Sequence, residues 1–293
     1  MSTDVPNDTT KRKRPCSTKA ASGSTAKAAA VAVQDGPAAA RPAAPAFAGA
    51  AGQRPGSGAA AAASVDAEAV ATIALLRKLT DTCIVGVSLG KDSLAVLDLV
   101  MTHRPAFRAV HTYFLYLVAG LEFQERTLRY LQARYGIHVQ RLPHFCLSPM
   151  LRRGNYRPQD AVGRRAPALP PAEAEDALRG RFDCRWLVTG YKRVDSLERN
   201  AMLSRTGPVD VRRGRCHPLL TWTHGHVYDY LRRRRIPLPP DYRALKESFG
   251  HLSGPELFWL RENYPDDYAR VIAAFPYAEA LTFRYAMNTG RRN

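Results

Sequence analysis

Apolar residues occur along this chain in two rhythms that interleave. Cys83, Ile84, Val85 and Val87 make a short continuous run bounded by polar residues, which predicts a buried strand. Leu94, Leu97, Leu99 and Val100 follow with the spacing of a helix. Residues 109–118 form a second β-branched and aromatic run, long enough for a buried parallel strand. Residues 122–135 then place Leu128, Leu131 and Tyr135 on one helical face. Shorter strands are predicted over 138–142 and 186–190, with helices over 66–80, 172–181, 194–203 and 223–234. Strands alternating with helices predict an α/β fold, a doubly wound parallel sheet of about five strands. Such a sheet presents ligands at the carboxyl ends of its strands.

The pattern is absent in two places. Residues 1–64 are Ala, Pro, Gly, Ser and Thr with a basic knot, Lys11, Arg12, Lys13 and Arg14. A segment with so few large apolar groups cannot offset its ordering entropy, so a disordered, low-complexity basic tail is expected. Ser64 is then the expected cap of the first helix. Residues 151–171 are rich in Arg, Pro and Gly and predict a long loop, mobile or a lid. The α/β domain is therefore placed at 65–245. A helical C-terminal extension, 246–293, is expected to pack on it, with helices over 256–263 and 266–274 broken at Pro265.

Charge narrows the partners. The chain of 293 residues has a formal net charge of +17. Residues 1–64 hold eight basic and three acidic residues, so +12 belongs to the rest. That balance favours anionic partners. Apolar runs are too short to cross a bilayer, and the N-terminus lacks a secretory core, so a cytoplasmic location without membrane attachment is expected. The five cysteines, Cys16, Cys83, Cys146, Cys184 and Cys216, contain no CxxC pair, which suits reduced thiols. Cys83 fits a core position, and convergence of Cys146, Cys184 and Cys216 on a cluster is a minor alternative. His217, His224 and His226 are expected to be surface or core histidines, not metal ligands.

The chemistry is concentrated at the break after the first strand. Ser88, Leu89, Gly90, Lys91, Asp92 and Ser93 join that strand to a helix N-terminus. Gly90 lets backbone approach a ligand, two hydroxyls and the first-turn N–H groups point at an anion, and Lys91 adds a point charge. The spacing is neither that of GxxxxGK[ST] nor that of GxGxxG. S-x-G-K-D-S after a buried strand resembles the pyrophosphate loop of the PP-loop adenine nucleotide alpha hydrolase superfamily.

Three later segments sharpen the resemblance. Gly120, Glu122, Phe123 and Glu125 match an Asp-Thr-Gly-x-Glu-Phe-Pro-Glu-Thr stretch after the second strand, while Val118, Ala119, Gln124 and Arg126 depart from it. Glu125 is equally well read as an acid favoured in a first helical turn. Gly190, Arg193, Ser196 and Arg199 match a second stretch, with Lys192 in place of Arg and Asp195 in place of Glu. Pro218, Leu219 and Trp222 match a third. Together they resemble the branch of phosphoadenosine phosphosulfate (PAPS) reductases and sulfate adenylyltransferase small subunits. Residues 256–268 are similar in style to the C-terminal helices of phage and prophage members.

The resemblance implies a HUP-type sheet, ATP as the bound nucleotide and Mg²⁺ as its companion ion. It implies ATP cleavage between the α and β phosphates, with adenylation of an anionic acceptor. The residues implied for nucleotide binding are Ser88, Leu89, Gly90, Lys91, Asp92, Ser93, Gly120, Glu122, Gly190 and Arg199. Lys91, Asp92, Lys192 and Arg193 are implied in catalysis, and Asp92 as a direct or water-mediated metal contact. Reductase members use a C-terminal cysteine; this chain has none after Cys216. The acceptor is a sulfate-like anion or a nucleic acid, the latter suggested by Arg152 and Arg153, Arg164 and Arg165, Arg212, Arg213, Arg215 and the run Arg232 to Arg235. A nucleotide- or nucleic-acid-binding protein without enzymatic activity is the remaining alternative.

Overall fold

The run that opens the domain is the strand at the centre of a sheet. In the computed structural model, which describes residues 58–167 and 170–290, β1 (Thr82–Gly86) pairs in parallel on both sides. Its neighbours are β2 (Ala109–Tyr116) and β4 (Leu187–Val188). β3 (Val139–Pro143) adds to β2, and β6 (Arg215–Cys216) adds to β4, both parallel. β5 (Val209–Asp210) closes the edge antiparallel to β6. The order is β3-β2-β1-β4-β6-β5. The α/β doubly wound expectation holds, with six strands and one antiparallel edge. β5 and β6 have two residues each, too few to leave a period-two pattern in the sequence.

Side chains alternate across the sheet as the pleat requires. Cys83, Val85, Trp186, Val188 and Cys216 face one core, with Leu94, Leu97 and Val100 from α2 (Lys91–Thr102). Ile84 and Leu187 face the other side with Cys184. The helix before β1, α1 (Gly58–Leu79), buries Ala69, Ile73 and Leu76 in the first core. It starts earlier than expected, so Ser64 lies inside it and does not cap it. The residues ahead of Ser64, 59–63, are all alanine, the strongest helix former, and they extend the helix into the segment read as tail. The basic knot and Cys16 lie outside the described residues.

α3 (Glu122–Tyr135) follows β2, which ends at Tyr116, two residues short of the predicted limit. The segment predicted as a long loop folds instead around two short helices, α4 (Leu147–Arg153) and α5 (Ala161–Arg165). Asp160 caps α5 by accepting from Gly163 N at 2.7 Å. Leu147, Met150, Leu151 and Tyr156 pack on a second core. α6 (Pro171–Phe182), α7 (Leu197–Thr206) and α8 (His224–Arg233) fall near their predicted positions.

The C-terminal region contains α9 (Pro240–Leu245), α10 (Gly254–Asn263), α11 (Pro265–Ala274) and α12 (Glu279–Asn288). Its Phe249, Leu252, Leu257, Leu260, Val271 and Phe275 share the second core with Val118, Leu121 and Phe123 from the β2–α3 corner. No described helix is long and apolar enough to cross a membrane.

Candidate functional site

The backbone of the first loop is turned by Leu89, a non-glycine residue at φ 63°. A branched side chain in the left-handed region is strained, and burial of Leu89 to 1% exposure holds it there. The turn delivers Gly90 as the N-cap of α2 with no side-chain capping bond. Gly90 O accepts from Leu94 N at 3.1 Å and from Ser93 Oγ at 2.9 Å. The N–H groups of Lys91, Asp92 and Ser93 precede the first intrahelical bond and are open to an acceptor. Ser88 is exposed beside them.

A chain of alternating charge runs under this turn. Lys91 Nζ donates to Asp92 Oδ2 at 2.8 Å. Lys192 Nζ lies 2.9 Å from Asp92 Oδ1 and 2.9 Å from Asp195 Oδ1. Asp195 Oδ2 accepts from Lys192 N at 3.0 Å and from Arg199 Nη1 at 2.8 Å. Lys192 is fully buried, and its ammonium contacts are ionic: neither Lys192 Nζ nor Asp92 Oδ1 has a well-aligned hydrogen bond. Burial opposes ionisation of Asp195, but Lys192 and Arg199 outweigh it and hold the carboxyl below its usual range. Three cations face two carboxylates, so the cluster keeps one positive charge.

Gly190 makes this approach possible. A Cβ there would lie 3.1 Å from Asp92 Cβ and 3.3 Å from the Asp92 carbonyl, so the β4 loop sits directly on the first turn of α2. Beyond it, Tyr191 stacks on His217 at 5.6 Å between centroids, and Arg199 lies 4.4 Å over the Tyr191 ring. His217 bonds Thr189 Oγ1 at 2.7 Å, and burial with nearby Arg215 lowers its pKa to about 4. Arg193 is exposed. The structure thus brings together Lys91, Asp92, Gly190, Lys192 and Arg199. Asp195, recognised in the sequence only as a substitution within a motif, is the hub between two of the cations.

Gly120 and Glu122 belong to a different set of contacts. Gly120 O accepts from Arg270 Nη1 at 3.4 Å. The Glu122 carboxylate pairs with Arg129 at 2.6 Å and Arg126 at 3.7 Å. The N–H groups at the start of α3 are taken by Asp267, whose oxygens accept from Glu122 N at 2.8 Å and Phe123 N at 3.1 Å. Glu125 pairs with Arg141 at 2.7 Å. No sequence signal announced Asp267, which stands 145 residues from its partner.

Among the described residues no group of three or more His, Cys, Asp or Glu is placed to hold a metal. Both Asp92 oxygens face lysine ammonium groups, so the carboxylate does not fit a direct metal contact. Cys184 and Cys216 lie on opposite faces of the sheet, and Cys146 is part of neither group. His226 caps α8 with Thr223, as a structural histidine. Several arginines of the basic runs have acids of their own. Arg215 pairs with Glu175, Arg213 with Asp210, Arg232 with Asp229 and Arg233 with Asp66. Arg234 reaches the buried Asp98 at 2.7 Å, which also accepts from Tyr135 and Tyr230 hydroxyls.

No protein-family model matches the sequence, and no curated protein matches it. Among the solved structures to which the chain has distant similarity are two enzymes. One is the U34-tRNA thiolase NcsA from Methanococcus maripaludis with its 4Fe-4S cluster: 13% identity over 73% of this chain and 78% of that one, TM-score 0.42. Another is phosphoadenylyl-sulfate (PAPS) reductase from Candida auris in a phosphate complex: 14% identity over 57% of this chain and 80% of that one, TM-score 0.36. Likeness at this level carries no argument, and the fold and chemistry rest on this chain's own residues.

Proposed function

We propose that this chain is an ATP-using enzyme of the PP-loop kind that adenylates an anionic acceptor and releases pyrophosphate. The observation that carries the reading is Lys192. A fully buried ammonium needs anions around it, and here the two carboxylates are themselves shared with Lys91 and Arg199. The surplus positive charge lies beneath the open N–H groups of α2, where a polyphosphate balances it.

ATP then lies with its β and γ phosphates on Ser88, Leu89, Gly90, Lys91, Asp92 and Ser93. An acceptor oxygen attacks the α phosphorus. The new P–O bond forms as the bond to the β-phosphate oxygen breaks, and the electron pair leaves on pyrophosphate. Lys91 and Lys192 stabilise the charge growing on that leaving group. Asp92 and Asp195 position the lysines, and Arg199 supports Asp195. Arg193, exposed and with no side-chain partner among the described residues, is available to the acceptor. Mg²⁺ is proposed only as an ion that arrives with the nucleotide, since Asp92 does not fit as its ligand, and no step is assigned to it.

Two observations bear on the acceptor. Cys83 and Cys216 are buried, with burial pushing Cys216 up to about 12, which suits no sulfur-attacking role. Val194 and Leu197, which follow Arg193 in the chain, are also exposed, the latter to 87%. An exposed cation followed by exposed apolar residues favours a nucleic-acid acceptor as the second reading beside a small sulfate-like anion. Incubation with α-labelled ATP and acceptors of each class tests both. The proposal fails if no acceptor yields AMP or an adenylate and Lys91→Ala leaves ATP affinity unchanged.

A further inference from the structure

The phosphate loop is met from above by a segment outside every motif the sequence offered. Residues 246–253 leave α9 at Lys246, φ 65°, and enter α10 at Gly254. Two carboxylates, each 1% exposed, hold this strap. Asp241 Oδ2 accepts from Phe249 N at 2.8 Å. Glu256 accepts from Gly250 N at 3.3 Å, His251 N at 3.4 Å, Ser253 N at 3.1 Å and Ser253 Oγ at 2.7 Å. Phe249 stands edge-on to Phe123, 5.6 Å between centroids, and its carbonyl accepts from Gln124 at 3.4 Å. The strap is therefore fixed to the start of α3 as well as to its own helices.

Its fixed position brings Ser248 to the loop. A Cβ placed on Gly90 would lie 3.6 Å from Ser248 Oγ and 3.6 Å from Ser88 Oγ. The two hydroxyls thus flank the bare Cα of Gly90, next to the open N–H groups of α2. Ser248 is half-buried, and its hydroxyl has no partner among the described residues. A hydroxyl held by a latched backbone but left unbonded beside an anion cradle is preorganised for the anion.

We propose that Ser248 is a phosphate-binding residue of this site, so that the C-terminal extension completes it. The inference rests on the polyphosphate reading of the loop and adds the residue that grips from the opposite side. A hydroxyl donating to a charged oxygen is worth about ten-fold in affinity.

The test is calorimetric titration of the full chain with inorganic pyrophosphate. Ser248→Ala is expected to bind about ten-fold more weakly, with the unfolding midpoint of the free protein unchanged, and Ser248→Thr to bind nearly as the parent does. If Ser248→Ala lowers the midpoint, Ser248→Cys, which keeps the volume but weakens the donor, must show the same loss. Equal binding by the parent, Ser248→Ala and Ser248→Cys overturns the proposal; if Lys91→Ala still binds weakly, the polyphosphate reading stands without it. A parent protein that binds no pyrophosphate overturns both.

Discussion

Replacing Lys192 by Met removes the central cation while keeping a long side chain. Lys192 is fully buried between Asp92 and Asp195, at 2.9 Å from each. Taking one partner from a buried ion pair costs about 3–5 kcal/mol, chiefly through the charge left behind. Here each carboxylate keeps another cation, Lys91 for Asp92 and Arg199 for Asp195. The low end, roughly 3 kcal/mol, is therefore expected at pH 7.5. For a folded region of this size that lowers the unfolding midpoint by roughly 6–12 °C. The pH dependence has a definite sign. Asp195 is held below its ordinary value, so in the parent it contributes stability above about pH 4 that is lost as pH falls through its folded value. In Lys192→Met the lysine's share of that lowering is lost while the Arg199 bond remains, so the gap between parent and variant narrows as the pH falls. Urea unfolding of both proteins at pH 7.5 and pH 4 reads the difference. A gap under about 1 kcal/mol at pH 7.5, or one that does not narrow at pH 4, refutes the account of the cluster.

Three further outcomes are expected. Gly190→Val, whose new carbons meet Asp92, should cost about 1–3 kcal/mol by overpacking and weaken pyrophosphate binding as the two loops separate; calorimetry that shows parent-like affinity counts against close loop packing. Asp98→Ala leaves the Tyr135 and Tyr230 hydroxyls without their charged acceptor and should cost roughly 3 kcal/mol, with pyrophosphate affinity unchanged; a loss of affinity in the folded variant contradicts its assignment as a purely structural residue. His217 should titrate at about 4 by NMR. Its burial as the neutral form lowers stability as pH falls from about 6.5 towards that value, and a midpoint above 6 refutes the buried, Thr189-bonded arrangement.

The first strand, its loop and α2 were legible because three signals coincide there: a β-branched run, a Gly-Lys-Asp-Ser break and helical spacing. What escaped was of two kinds. β5, β6, α4, α5 and α9 are shorter than the window over which hydrophobic periodicity accumulates. The contacts of Asp267, Asp241 and Glu256 are carboxylates accepting backbone N–H groups, and any acid in the sequence looks the same until the chain has folded. The arginine run has a contact that its sequence did not show: Arg232, Arg233 and Arg234 each meet an acid of this chain, and those acids are Asp229, Asp66 and Asp98.

The sheet order explains why the two loops that matter face each other. From β1 the chain turns towards β2 and β3, while β4 leads on to the β6 side. The connections diverge between β1 and β4, the switch point beside which open α/β sheets bind ligands at the carboxyl ends of their strands. A fold needs no charge there: replacing a buried ion pair by apolar side chains of similar volume is often neutral or stabilising. This chain nevertheless keeps a fully buried lysine at that point, with two carboxylates insufficient to balance the three cations around them. A cluster with surplus positive charge under unbonded N–H groups is accounted for, on the proposed reading, by an anion that completes it. On that reading, the demand for Lys192 lies in binding and chemistry.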